Sequence, residues 1–372
     1  MKAATTSQRF FEQTKLLVFS AQAQIQSAQA QIQSAQAQVQ TSSKQATIHH
    51  GHLADLPAQL KAGDLLVVNR SATLPASFRG KVARSGAEVE IRLAAFQGPS
   101  PQDLSRWQAI SFGAGDWRTP TEMRGPAPHL QSSDRIDIGP ELYAEVEKVE
   151  QKRVLKLRFG SAQALTQPLL PLLYQYGRPI QYAYHQAPLE IWDQQTIFSG
   201  PPISVEPPSA GFAFSWDLLF ALRAQGVKIV SLLHSAGLSS TGDPALDTLL
   251  PLSEWYQIPA ETVAAIQTAR AQRQRVVALG TTVLRALESA AQSGELQSGE
   301  GLSELKIRPG YRFKVVNALI TGMHEPGSSH MRILDALFPL PVIEQGYREA
   351  EDRGYRGHEY GDLSFLDCQA CA

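Results

Sequence analysis

Cysteine is almost missing from this chain of 372 residues: there are two, Cys368 and Cys371, both at its very end. So few exclude a disulfide framework. The spacing Cys368-Gln-Ala-Cys371 supplies half of a zinc site or a redox pair without the other half or a βαβ context, so it reads as a frayed tail. An excess of charge is missing too. Thirty-four basic residues face 35 acidic ones, a net charge of −1, so there is no global positive field and a nucleic-acid partner needs a local patch. No apolar run approaches the roughly 18 residues of a membrane span. Leu16-Leu17-Val18-Phe19, behind Glu12 and Lys15, is too short for the apolar core of a signal peptide. The expectation is a cytoplasmic protein with no membrane partner. Glycine and proline, 27 and 23, stand at ordinary frequency, which excludes collagen-like and wholly disordered chains. With 43% hydrophobic residues and a length of about two domains, a sizeable core is within reach.

The most conspicuous local feature is Ala21 to Gln40, two copies of AQAQIQS followed by AQAQVQ. Ile25, Ile32 and Val39 are its only large apolar residues, one per heptad, which is half the seam of a coiled coil. It reads as a low-complexity insertion, 21–40, that lengthens a hairpin loop between strand-like Lys15–Ser20 and Ala46–His50. A short amphipathic stretch, Leu53–Leu60, precedes the apolar run Leu65-Leu66-Val67-Val68. Alternating segments then recur at Ser77–Val82, Glu88–Leu93, Trp107–Phe112, Leu142–Val149 and Arg153–Phe159, punctuated by Gly, Pro and Asp, which predicts a small antiparallel barrel or sandwich.

The rhythm changes near 215. Trp216–Ala224, Pro259–Gln274 and Thr282–Gln292 read as helices, and Val227–Leu233, Val276–Leu279 and Phe313–Thr321 as strands, the alternation of an α/β layer. The expected architecture is an α/β main domain, 1–74 and 165–372, with an antiparallel β-barrel domain at 75–164.

Candidate chemistry collects at strand ends. Gly280-Thr281-Thr282 follows a strand and opens a helix, so its free N–H groups and hydroxyls suit a carboxylate or phosphate, and equally an ordinary N-cap. Arg285 and Glu288 lie three apart on that helix and share a face. His234 ends one strand and His324 follows another, the edge where such sheets bind ligands, and an imidazole moves protons near neutral pH. No further His, Cys or carboxylate follows either at ligand spacing, so no metal site is expected. Pro201 to Gly211, with four prolines, reads as a connector or a preformed binding wall. Lys148, Lys152, Arg153, Lys156 and Arg158, and Arg270, Arg273 and Arg275, are the basic candidates for a nucleic-acid patch, or solvated faces.

Taken in order, these segments resemble the S-adenosylmethionine:tRNA ribosyltransferase-isomerase family of queuosine biosynthesis, from about Lys15 to Leu366. Gly63–Asn69 is similar to GDLLVFN, Ser209-Ala210-Gly211 to part of TAGLHF, and Leu233-His234 to the start of LHVGAG. Gly280–Ser289 is close to GTTSVRSLES, Val315–Thr321 with His324 and Pro326 to DALITNFHLP, and Tyr360-Gly361-Asp362 to FGD. The resemblance implies an α/β domain with an inserted barrel and S-adenosylmethionine as a ribosyl donor, a co-substrate with no separate cofactor. The acceptor it implies is the aminomethyl group of a deazaguanine in tRNA, giving epoxyqueuosine, adenine and methionine.

From residue chemistry His234 and His324 are acid/base candidates, with Glu288 beside them fixing Arg285, a ribose or an amine. Gly280, Thr281, Thr282 and Arg285 are placed on the methionine carboxylate, and Asn69, Ser209, Gly211 and Asp362 as further substrate contacts. The chain departs from the pattern at Ala72 and Ser77, where the family carries arginines, and at Ala213, where it carries histidine. Lost arginines remove bidentate anion contacts. Two other readings therefore stand beside tRNA: a small-molecule amine acceptor, and a non-catalytic ligand-binding relative.

Overall fold

The structure, a computed structural model, describes residues 1–5, 13–21, 46–161 and 168–368. Leu65-Leu66-Val67-Val68 lies at the centre of the main sheet and is buried on both faces, which is why it reads as an unbroken apolar run. Leu65 and Val67 pack to one side with the helices Ala260–Ala271, Thr281–Ala290, Ser329–Leu337 and Leu340–Asp352. Leu66 and Val68 pack to the other, against Leu53, Leu56 and the helix Trp216–Ala224.

Among the described residues the sheet has nine strands. In spatial order they are Gly299–Ser303, Glu254–Ile258, Lys228–His234, Leu65–Asn69, Val276–Leu279, Ala318–Gly322, Leu363–Asp367, Lys15–Ala21 and Ala46–His52. The middle four, from Lys228–His234 to Ala318–Gly322, are parallel, so their carboxyl ends form one common edge. At the opposite ends of these strands Arg275 ties the layer together, bonding Asp64, Asp367 and the Gln59 carbonyl. This basic candidate is thus a buried structural ion pair.

Six strands close a barrel in the order Leu142–Gln151, Val154–Ser161, Arg106–Phe112, Glu88–Phe96, Ser77–Val82 and Arg135–Asp137. Phe78, Ile91, Leu93, Trp107 and Val146 fill its interior. The barrel meets the sheet edge closely. The Ala94 carbonyl accepts from Leu238 N–H at 2.9 Å, and a Cβ on Gly237 would lie 2.4 Å from that carbonyl, so only glycine fits there.

The expected α/β layer and barrel are present, with differences in detail. Arg135–Asp137 completes the barrel with three residues, too few to alternate legibly. The expected strand Phe313–Thr321 is shorter, Ala318–Gly322, because backbone N–H groups of residues 314–316 bond the Glu288 carboxylate instead of a neighbouring strand. Cys368 is buried in the core and its Sγ contacts the Leu337 carbonyl at 3.4 Å, so this end of the expected frayed tail is packed; Cys371 lies outside the described residues. No helix among the described residues is long and apolar enough to cross a membrane.

Lys15–Ala21 and Ala46–His52 pair antiparallel, with Ala21 opposite Ala46, as a hairpin requires. The repeat beyond Ala21 lies outside the described residues. Because the paired ends already stand face to face, replacing residues 22–45 by a four-residue turn is expected to shift the melting temperature by no more than about 2 °C, since loop length carries a small entropic cost. Differential scanning fluorimetry measures it, and a loss of several degrees would show the segment to be packed.

Candidate active site

The carboxyl edge of the parallel strands and the outer wall of the barrel enclose a cleft of about 1240 Å³. Its sheet side is built from the Gly280–Thr282 turn, the loop after Ala318–Gly322 and the start of the helix Ser329–Leu337. Its barrel side is built from Arg92 and Trp117–Thr121. Of the residues expected in the site, Ser209, Gly280, Thr281, Thr282, Arg285 and His324 line the cleft.

Gly280 has φ +92°, a conformation that lets the strand Val276–Leu279 turn directly into the helix Thr281–Ala290. The turn leaves the Thr282 hydroxyl buried without a hydrogen-bond partner, on a residue that lines the cleft. Further along this helix Arg285 is 7% exposed. Its partner is Glu254, with the Ser303 and Leu305 carbonyls accepting further bonds, rather than Glu288 on its own helix. Burial works to raise the Glu254 carboxyl, but Arg285, His234 and the Gly237 N–H outweigh it and hold the group below its ordinary value. Glu254 lines the cleft and escaped the sequence reading. Its one signal is an acid at the head of the apolar segment Glu254-Trp255-Tyr256-Gln257-Ile258.

His324 accepts or donates at 2.8 Å to Thr321 Oγ1 and stacks on His330, ring centroids 4.6 Å apart at 12°. Burial, then the neighbouring His330 and His358, depress it well below the usual imidazole range, so it is neutral at pH 7. A neutral imidazole in a substrate cleft is a proton acceptor.

Five expected site residues sit elsewhere. His234 is fully buried beneath the cleft, its Nε2 3.5 Å from Glu254 Oε2, and does not line the cavity. It lies behind Glu254 with neither ring nitrogen hydrogen-bonded and is not placed to touch a substrate. Asn69 spends its amide on the backbone of His234 and Ser71, giving Nδ2 to the His234 carbonyl at 2.9 Å. Ser71 and Ser204 hydroxyls donate to that same carbonyl. Glu288 accepts from the N–H groups of Lys314, Val315 and Val316 and from the Tyr311 hydroxyl, so its carboxylate is saturated by a loop. Gly211 abuts Thr196 and Phe198, and Asp362 accepts from the backbone of Lys15 and Arg356; both are structural.

The corrections make two predictions. Glu288→Ala is expected to lower the unfolding free energy by roughly 3 kcal/mol, because it orphans several buried donors. Urea denaturation reads that loss, while substrate KM stays unchanged. Burial lowers His234 to about 4, against an unfolded value near 6.5. The unfolded chain therefore takes the proton first. This contribution is whole above pH 6.5 and is lost as pH falls towards 4, an effect of roughly 2–3 kcal/mol. Melting curves at pH 7 and pH 5 are expected to diverge less in His234→Gln than in the parent.

A second feature that sequence reasoning missed is an acidic aromatic wall. Tyr182 and Tyr184 stack with centroids 5.9 Å apart at 11°, Tyr182 donates to Glu206, and Tyr184 donates to Glu359. Burial pushes the Glu206 carboxyl up to about 7. Pro207, Pro208, Ser209 and Ala210 continue this wall, so the proline-rich segment is part of the cleft. The basic barrel segment, by contrast, is interleaved with acids: Arg158 pairs with Glu145 and Glu147, and Lys156 with Glu150. Among the described residues no group of three or more His, Cys, Asp or Glu side chains is arranged to hold a metal ion.

A cleft of this size between an α/β edge and a barrel, with a neutral imidazole on its wall, is the kind of site in which enzymes bind small substrates. The chain belongs to the family described as Queuosine biosynthesis protein, which it matches over residues 18–366. A relative from Gloeobacter violaceus, named S-adenosylmethionine:tRNA ribosyltransferase-isomerase, is 34% identical over 85% of this chain and 85% of its own. The relative of the same name from Thermus thermophilus is 34% identical over 86% of this chain and 88% of its own. A solved structure, the S-adenosylmethionine tRNA ribosyltransferase from Thermotoga maritima, is 23% identical and covers 98% of this chain and 95% of that one, with a TM-score of 0.49.

Proposed function

We infer that the chain is a transferase and isomerase that moves the ribosyl portion of S-adenosylmethionine onto the aminomethyl group of a deazaguanine in tRNA. The products are epoxyqueuosine-bearing tRNA, adenine and methionine. The observation that carries this is membership of the queuosine biosynthesis family along nearly the whole chain, with relatives of that named activity covering most of it. The cleft volume supports it, being ample for a nucleoside-sized donor and an inserted base together. In this reading S-adenosylmethionine is consumed as a co-substrate, no resident cofactor or metal takes part, and the protein works in the cytoplasm.

The donor lies along the sheet edge. The first-turn N–H groups after Gly280 and the Thr282 hydroxyl receive the methionine carboxylate, while the Tyr182–Tyr184 wall with Glu206 and Glu359 suits the positive sulfonium. The chemistry makes two opposite proton demands. One proton must leave the carbon beside the sulfonium, whose charge eases that step, and one must reach adenine as it departs. A single neutral imidazole meets both in turn, and His324 is the residue placed for it. Glu254, held by Arg285 and the Gly237 N–H, places one carboxylate at the floor.

The test is incubation of the purified protein with S-adenosylmethionine and tRNA carrying the aminomethyl-deazaguanine. Mass spectrometry follows adenine, methionine and the modified nucleoside. Formation of S-adenosylhomocysteine with a methylated product, or adenine release with a small amine but never with tRNA, overturns the reading.

A further inference from the structure

The barrel wall of the cleft holds one positive charge in excess. Along Glu88–Phe96, Val89, Ile91 and Leu93 fill the barrel, so Glu90 and Arg92 project from its outer face, yet they are only 4% and 3% exposed. Glu90 Oε1 accepts from Arg92 Nε at 2.7 Å and from Ser77 Oγ at 2.9 Å, and Oε2 accepts from Arg124. One carboxylate thus serves two guanidinium groups. A third, Arg153, joins them across a ring: the Arg92 and Arg153 Cζ atoms lie 4.7 and 4.6 Å from the Phe112 centroid. Arg153 has Asp243 at 3.6 Å. Three guanidiniums against two carboxylates leave one charge over, and Arg92 borders the cleft with Nη1 buried and unpartnered. A buried N–H of a charged group without an acceptor is costly, and such a group needs a reason.

The register supplies one. Ser77 and Arg92 are direct cross-strand partners, and both bond the same oxygen of Glu90. Ser77 is one of the two positions where the family pattern carries an arginine. In this chain a guanidinium stands one strand over from Ser77, on the same carboxylate.

We propose that Arg92 binds a phosphate group of the RNA acceptor, making from the neighbouring strand the anion contact that Ser77 does not make. The proposal rests on the tRNA reading above. A planar fork with free N–H groups in a net-positive cluster selects an oxyanion. Its place on the barrel wall, away from the Gly280–Thr282 turn, assigns that oxyanion to the acceptor rather than to the donor carboxylate. Lys156 and Arg158 are poorer candidates, because their charges are paired with Glu150, Glu145 and Glu147.

The test follows adenine release with tRNA carrying the aminomethyl-deazaguanine at several salt concentrations. Arg92→Leu is expected to raise KM for tRNA roughly ten- to hundredfold. It is also expected to flatten the log–log salt slope by about one phosphate contact and to leave KM for S-adenosylmethionine within about twofold. Adding Ser77→Arg to Arg92→Leu is expected to restore both tRNA KM and salt slope. Unchanged tRNA KM and slope overturn the proposal. So does a rise confined to S-adenosylmethionine KM, which places the donor carboxylate there, and so does a failure of Ser77→Arg to rescue. If Arg92→Leu does not fold, Arg92→Lys, which keeps the charge on Glu90 but loses the fork, decides it: tRNA KM several-fold higher supports the proposal, and parental KM overturns it. A parent protein that processes no tRNA overturns the tRNA reading itself, a result separable from any of these.

Discussion

Replacing Glu254 with glutamine is expected to lower the unfolding free energy by about 3–5 kcal/mol, among the largest losses for a single polar substitution in this chain. The reason is what it leaves behind. Arg285 is 7% exposed, so without the Glu254 carboxylate its charge is largely buried, with only neutral acceptors, the Ser303 and Leu305 carbonyls and a glutamine amide oxygen, to face it. Arg285→Ala is expected to cost a similar amount, since Glu254 then keeps only the Gly237 N–H and a neutral His234 beside it. The double variant Glu254→Gln with Arg285→Ala is expected to lose clearly less than the two single losses added, because no charge is then stranded. Urea denaturation of the four proteins gives the coupling energy directly. Additive losses would mean that the pair is not the source of the effect. Activity is expected to fall in all three variants, and donor KM measured on the folded fraction separates a distorted floor from a lost carboxylate contact.

Turnover is expected to fall by about 10²–10⁴ in His324→Ala, with donor affinity changed little, which is the scale of losing a positioned acid/base group. The pH profile sharpens the test. His324 is held well below the ordinary imidazole value, chiefly by burial and then by His330 and His358, so its neutral form persists through mildly acidic pH. The acid limb of kcat in the parent is therefore expected below the usual histidine range. It is expected to move upward in His330→Leu, which removes one of the two neighbouring imidazoles. An acid limb at the ordinary value, or a His324→Ala enzyme with parental turnover, would show that another group moves the proton. Fluorescence or calorimetric titration with S-adenosylmethionine checks the affinity.

Much of the frame is legible from sequence because its causes are local. Leu65–Val68 declares a strand buried on both faces, and Val276–Leu279 running into Gly280 declares a strand-turn-helix with a ligand-ready start. The barrel shows itself by period-two alternation. Glu254–Ile258 and Gly299–Ser303 are harder to see, the first opening on an acid and the second on Gly-Glu-Gly, a glycine-rich edge strand.

The site is less legible, and the reason is sequence distance. Tyr184 meets Glu359 across 175 positions and Arg285 meets Glu254 across 31, so neither pair leaves a spacing to read. Glu288 and Arg285 share a helix face in sequence, yet each turns to a different loop or strand once the chain is folded. His234 reads as a catalyst because it ends a strand at the right edge, but burial takes its ring below the floor. Position along the chain locates the edge, and only packing decides which side of it a ring occupies.

The His234 carbonyl accepts from Asn69 and Ser71, where the chain leaves the sheet for the barrel, and from Ser204, after it has returned. Departure and return are thus pinned to one atom of the sheet edge. Everything between them, the whole barrel, is a loop of chain clasped at its base, and the clasp sits on the same edge that the barrel wall faces. Three side chains from both ends of the inserted segment converge on that carbonyl, so disturbing it would loosen the barrel's attachment at its exit and its return together.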